Sequence, residues 1–211
     1  MEIVVKPNRI SLAVKRLFDV VASGIGLIVL SPLFLLLAVA VKVDSKGTVY
    51  FRQIRVGKDG REFDILKFRT MITDAEKRGL QITVGTDARI TRVGRILRKI
   101  KLDELPQLIN VFIGEMSLVG PRPEVPKYVA MYTEEQRQVL IVRPGITDLA
   151  SVKFRNESEI LASCDDPEDT YIHEIMPGKL RINLDYCKKV SPLSDVGLIF
   201  YTIFKIFSHK K

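Results

Sequence analysis

The chain has 211 residues, with 33 Lys and Arg against 25 Asp and Glu, a formal charge of +8, and 46% hydrophobic residues. That length suits one domain with a core of its own, and the composition excludes a wholly disordered chain. Two cysteines, Cys164 and Cys187, exclude a disulfide scaffold and lack metal-site spacing, while the basic balance asks for an acidic partner: nucleic acid, anionic lipid or a phosphorylated substrate.

The first informative stretch is residues 20–41, VVASGIGLIVLSPLFLLLAVAV, 22 residues without a charge. As a straight helix it would run roughly 33 Å, which matches a hydrocarbon core of about 30 Å. A cleaved signal peptide fits poorly, because its apolar region holds about 7–15 residues. A simple spanning helix is opposed by Ser31 and Pro32 at mid-run, where proline kinks a helix and serine can satisfy a freed carbonyl. Both flanks carry net positive charge, which favours keeping both on the cytoplasmic side. Residues 1–43 are therefore predicted to be a re-entrant, monotopic membrane anchor, and 44–211 a cytosolic domain associated with the interface.

Beyond Val43 the composition turns soluble. Thr48–Val56 and Arg61–Arg69 read as two strands of a hairpin around Gly57-Lys-Asp-Gly60. Residues 72–80 read as an exposed helix ending at Gly79. Helical spacing follows over 90–97, then over 105–112 with Gly114 as a stop, and a third helix is expected over 124–141. Residues 143–169 read as irregular. From Leu193 to Phe207 an apolar stripe, with basic Lys205, His209, Lys210 and Lys211 at its end, suits either a helix in the membrane interface or one docked on the core. The expected fold class is α+β, mainly helical: a helix-break-helix anchor followed by a small αβ catalytic domain with a short β-hairpin.

The densest polar stretch is Arg98-Lys-Ile-Lys-Leu-Asp103-Glu104-Leu-Pro106-Gln107. Pro106 belongs in a first helical turn, which puts Asp103 at or near an N-cap, where negative charge is favoured. Capping is one reading of Asp103 and reaction with a phosphate is the other. In Gly120-Pro121-Arg122-Pro123-Glu124 two prolines pin the backbone around one arginine, a rigid guanidinium suited to phosphate or to solvent. No Walker pattern, GxGxxG, HExxH or paired Cys/His signature occurs, and His173 and His209 stand alone.

Taken in order, Lys15-Arg16-Leu-Phe-Asp19, Ser31-Pro32, Lys67-Phe-Arg69-Thr-Met71, Asp87-Ala-Arg89-Ile-Thr-Arg-Val-Gly94, Arg98 ahead of Asp103-Glu104-Leu-Pro-Gln107, Met116-Ser-Leu-Val-Gly-Pro-Arg-Pro123 and Arg143-Pro-Gly-Ile-Thr147 resemble the bacterial sugar transferase family, its small monotopic phosphoglycosyl transferases, nearly end to end. The resemblance implies transfer of a sugar 1-phosphate from a UDP-sugar to polyprenyl (undecaprenyl) phosphate at the cytoplasmic face of the inner membrane, with release of UMP, as the first membrane step of a surface glycan. It implies Asp103 as nucleophile through a phosphosugar–aspartate intermediate, and Mg²⁺ as cofactor with Asp103 and Glu104 as its ligands, Glu104 being the alternative base. Arg69, Arg98 and Arg122, with Lys67, Pro121 and Pro123, become candidates for binding the diphosphate and nucleotide. Lys15, Arg16 and Asp19 would fix the entry of the anchor, and Ser31-Pro32 would be its break. Downstream glycosyltransferases are implied partners, nucleic acid is not, and a homodimer stays open.

Three departures accompany the resemblance. Asp148 stands where members often have glycine, Ala88 where proline is common, and Val190-Ser191-Pro192 where tryptophan-serine is usual. Longer members carry an additional amino-terminal membrane bundle, which this chain, beginning just before the apolar segment, is read as lacking. The competing reading from another class is a non-catalytic, membrane-anchored lipid-binding or assembly scaffold in which Asp103 only caps a helix.

Overall fold

A computed structural model describes residues 6–73 and 87–207. The helix expected over 72–80 therefore falls, from residue 74 on, outside the described residues, as do His209, Lys210 and Lys211. Helix α1 (Arg9–Val29) is capped by Asn8, whose side chain accepts from the Ile10 and Ser11 N–H groups. After Leu30, α2 (Ser31–Asp44) sets off at 63° to it. Pro32 has no N–H for the Ile28 carbonyl four residues back, and Ser31 Oγ donates to that carbonyl at 2.8 Å. Among the described residues no single helix is long and apolar enough to cross a membrane; the bent pair passes that test together, by length and composition. Ile10, Leu17, Ile25 and Ile28 on α1 and Leu35, Leu36 and Val43 on α2 stand exposed.

Lys15, Arg16 and Asp19, expected to fix the entry of the anchor, join α1 to distant parts of the chain, Lys15 and Asp19 buried and Arg16 half-buried. The Lys15 ammonium pairs with the Asp195 carboxylate on α11 (Pro192–Phe207), whose other oxygen accepts from Tyr186 Oη at 2.9 Å. Asp19, 1% exposed, accepts from the Leu118 N–H at 3.0 Å. Arg16 donates to the Val111 and Phe112 carbonyls at 2.6 and 2.9 Å. Charges leave water only where such partners compensate them, and these partners come from distant parts of the chain.

Strands β1 (Tyr50–Val56) and β2 (Glu62–Phe68) form the expected antiparallel hairpin, Tyr50 opposite Phe68 and Val56 opposite Glu62. Asp59 and Gly60 turn it with φ of 57° and 76°. Helix α3 (Arg92–Lys99) is capped by Thr91, and α4 (Gln107–Ile113) ends at Gly114 in the left-handed region, φ 98°. Asn110 of α4 clamps the hairpin to the helix by accepting from the Leu66 N–H and donating to the Asp64 carbonyl.

Then comes an element the sequence reading did not contain: β3 (Ser117–Val119) pairs in parallel with β4 (Gly145–Thr147). The single helix expected over 124–141 is broken into α5 (Pro126–Val129), α6 (Glu134–Arg137) and a 3₁₀ turn over Gln138–Ile141. Thr133 starts α6 anew through a capping box with Gln136. The stretch expected to be irregular carries β4, α7 (Leu149–Lys153), α8 (Glu157–Ala162) and α9 (Pro167–Thr170). A π-helical turn leads into α10 (Met176–Lys188), whose Met176, Leu180, Leu184 and Cys187 fill the main core with Tyr128, Val139 and Leu161. Helix α11 docks on the domain through the buried Asp195, while Leu193, Phe200 and Phe204 stand exposed. Among the described residues the protein is mainly helical, with two small sheets.

Candidate active site

The site forms where β2, the turn before α4 and the loop after β3 meet. Asp103 and Glu104 lie in a 3₁₀ turn, Leu102–Glu104, entered through Lys101 in the left-handed conformation at φ 59°. A non-glycine residue held there is strained, a feature that clusters at functional sites. The turn separates Asp103 from α4, whose N-cap position is Pro106 with no side-chain cap bond, so the capping role expected of Asp103 is not its role here. Its Oδ1 is buried and has no hydrogen-bond partner among the described residues.

Glu104, its neighbour, is the opposite case. Its Oε1 accepts from Lys67 Nζ at 2.9 Å and from Arg122 Nη2 at 2.8 Å. Burial pushes this carboxyl up, but the Arg122 guanidinium and the Lys67 ammonium outweigh it and hold Glu104 well below the usual carboxylate range. The Glu104 charge in turn raises Arg122. For Asp103, burial dominates; with the Glu104 charge adding to it against Lys67, the pKa rises. Two adjacent carboxylates are thus driven apart, one fixed as an anion and one tuned upward with an open oxygen, the pattern that separates roles in acid–base and nucleophilic sites.

Arg98 is half-buried; its Nε donates to Thr70 Oγ1 at 2.8 Å, and the Asp103 charge acts on it. Pro121 and Pro123 are buried on either side of Arg122 and line a shallow cleft with it. Arg69 departs from the expectation of a diphosphate ligand. Its guanidinium donates to the Lys46 and Ser45 carbonyls at 2.5 and 2.6 Å and to Ser45 Oγ at 3.0 Å, closing the carboxyl end of α2. The carbonyls left over at a helix end attract a cation, and Arg69 is 6% exposed there.

Among the described residues no group of three His, Cys, Asp or Glu side chains could hold a metal alone. Mg²⁺ asks for only one or two carboxylates when substrate phosphates complete its shell, and the orphaned Asp103 Oδ1 fits that demand. Glu104 fits it less well than expected, because Oε1 already faces two cations.

The sequence reading missed a layer behind Arg122. Arg55 Nη1 donates to the Pro123 carbonyl and to Glu124 Oε1, both at 3.1 Å, and Tyr171 Oη donates to Glu124 Oε2. Together they hold the loop that carries Arg122. Glu124 was visible beside the prolines, but nothing in its spacing points to Tyr171.

Set against known sequences, residues 10–209 match the family described as bacterial sugar transferase. The chain belongs to the bacterial sugar transferase family. It is 38% identical over 208 residues, 96% of this chain, to a UDP-glucose:undecaprenyl-phosphate glucose-1-phosphate transferase of Klebsiella pneumoniae. It is 40% identical over 200 residues, 93% of this chain, to a UDP-N-acetylgalactosamine-undecaprenyl-phosphate N-acetylgalactosaminephosphotransferase of Aeromonas hydrophila. These matches span 42% and 44% of those two longer proteins. The exopolysaccharide production protein ExoY of Rhizobium meliloti is 40% identical over 208 residues, 90% of this chain and 83% of that one. Two of these sugar transferase relatives are named for different sugars, so family membership leaves the choice of sugar to residues particular to each chain.

Proposed function

We propose that this sugar transferase moves a sugar 1-phosphate from a UDP-sugar to polyprenyl phosphate, releasing UMP, through a covalent intermediate on Asp103. The observation that carries the reading is the buried Asp103 Oδ1 without a partner, beside a Glu104 whose charge two cations already neutralise. In the first step an Asp103 carboxylate oxygen attacks the phosphorus that bears the sugar. The P–O bond to UMP breaks, and UMP leaves with the electron pair. In the second, an oxygen of the lipid phosphate attacks the same phosphorus, the acyl-phosphate bond breaks, and Asp103 returns as carboxylate. Lys67 and Arg122, gathered by Glu104, orient the phosphates and offset charge on them, and Arg98 approaches Asp103 from the α3 side. Mg²⁺, held by Asp103, by the oxygen of Glu104 not turned to Lys67 and Arg122, and by substrate phosphates, would supply further positive charge at the transferred group.

The lipid substrate requires a membrane. The 63° bend at Ser31–Pro32 and the exposed apolar faces of α1, α2 and α11 support a re-entrant, monotopic seat on the cytoplasmic face of the inner membrane, where UDP-sugars are supplied. The lipid-linked product is then an acceptor for glycosyltransferases that extend it.

The test is UMP release from a panel of UDP-sugars with undecaprenyl phosphate and Mg²⁺, for wild type and Asp103→Asn, with intact mass of protein incubated with donor alone. Release and a sugar-phosphate adduct in wild type only are expected. Full turnover by Asp103→Asn would sink the covalent mechanism, and no release by folded wild type from any donor would favour the scaffold.

A further inference from the structure

Strands β3 and β4 run parallel, and their carboxyl ends deliver two charged side chains to one end of the small sheet: β3 leads through Gly120–Pro121 to Arg122, and β4 leads directly into Asp148. The backbone locks these two exits together. The Gly120 N–H donates to the Thr147 carbonyl at 3.1 Å, and the Gly145 N–H donates to the Pro121 carbonyl at 2.9 Å. Asp148 is 3% exposed. Its Oδ1 accepts from the Ser151 N–H at 2.8 Å and so caps α7. Its Oδ2 is buried with no hydrogen-bond partner among the described residues, and the same holds for Ser151 Oγ in the same turn.

Capping explains Oδ1 and nothing more. A cap needs one acceptor oxygen and no charge, and asparagine serves equally well. A carboxylate oxygen kept from water without a donor is a penalty that the fold alone does not offset. The Asp148 charge also acts on the Arg122 guanidinium, alongside Glu104. The orphaned oxygen thus stands in the electrostatic field of the arginine that the proposed reaction sets on the diphosphate.

We infer that Asp148, with Ser151 beside it, is a specificity-determining residue that accepts hydrogen bonds from a ring hydroxyl of the nucleotide sugar. The inference rests on the proposed function. Hydroxyls of this kind come from two sources, the transferred sugar and the ribose, and the chemistry demanded is the same. A carboxylate only accepts, so it favours a free hydroxyl at the position facing it and disfavours a carboxylate or an acetamido carbonyl there. On the sugar, this selects a donor with an unsubstituted hydroxyl facing Asp148.

The experiment is calorimetric binding of UMP, UDP-glucose and UDP-N-acetylglucosamine to the full chain in lipid nanodiscs. Wild type is compared with Asp148→Asn, which keeps the cap acceptor but turns the second oxygen into a donor. Ser151→Ala keeps the backbone N–H that Asp148 caps and provides a second variant, should the first fail to fold. The expected result is at least about tenfold weaker binding of UDP-glucose by Asp148→Asn, with a smaller loss in Ser151→Ala. Weakened UDP-glucose with unchanged UMP places the hydroxyl on the sugar; equal weakening of both places it on the ribose. Unchanged binding of all three ligands by folded variants reduces Asp148 to a cap and overturns the inference alone. Failure of wild type to bind any of them overturns the proposed function along with it.

Discussion

Gly145 approaches Gly120 so closely that a Cβ on Gly145 would come within 2.1 Å of the Gly120 nitrogen, and one on Gly120 within 2.4 Å of the Arg143 carbonyl oxygen. Neither glycine has a left-handed φ, so the requirement is room. That contact sets the spacing of β3 and β4, and with it the placement of Arg122 against Asp148. Gly145→Ala is expected to lower the unfolding free energy by about 3 kcal/mol, because backbone, not a flexible side chain, must move aside. Chemical denaturation of the purified protein checks it; an unchanged midpoint would mean that the two strands can separate without loss.

Raising Asp103 has a kinetic consequence. As pH falls through the raised value, the carboxylate takes up a proton and loses its nucleophilic form. The acid limb of the UMP-release profile should therefore lie above the ordinary aspartate value of about 3.9. A profile flat down to that value would contradict the burial of Asp103.

Glu104 makes a prediction of opposite sign. Its folded pKa is held well below the usual carboxylate value, so the stability it contributes is fully present above the unfolded value of about 4.3 and is lost as pH falls through the depressed folded one. Glu104→Gln leaves Lys67 and Arg122 without their counter-charge. It is expected to cost about 2–3 kcal/mol at neutral pH, discounted because Arg122 is partly exposed. The gap between wild type and variant should narrow on acidification, read as melting temperature against pH.

Lys15 and Asp195 are separated by nearly the whole chain, yet their pairing holds α1 to α11. Lys15→Met strands a buried carboxylate and is expected to destabilise by about 3 kcal/mol. The double variant Lys15→Met/Asp195→Asn should recover at least about 1 kcal/mol of that loss, and strict additivity in this cycle would show that the two groups do not interact.

The features legible in the sequence are those whose cause lies within a turn or two. Pro32 cannot bond the Ile28 carbonyl, so the helix breaks where it stands; Asp59-Gly60 supplies positive φ, so the hairpin closes there; Gly114 ends α4 because it accepts φ 98°. The Thr133-x-x-Gln136 signal for the break inside 124–141 was also local, and reading apolar periodicity alone passed over it. Asp103, Glu104, Lys67 and Arg122 could be singled out by residue type and motif. That Glu104 binds both cations while Asp103 keeps an open oxygen could not, because it depends on how β2, a 3₁₀ turn and the loop after β3 converge.

Three-residue strands carry too few side chains to show a period, and β3 exists only because β4 meets it. Arg69 stood in a recognisable motif, but its guanidinium goes to the end of α2 because unpaired carbonyls wait there. Lys15, Arg16 and Asp19 lie beside an apolar run and invite an interfacial reading. Tertiary structure buries Lys15 and Asp19 and ties down Arg16 because Asp195, the Leu118 N–H and the end of α4 arrive to pair them. Sequence determines a conformation where the competing interactions are local; where a charge sits in the fold depends on which distant partner compensates its loss of water, and only the assembled chain supplies that partner.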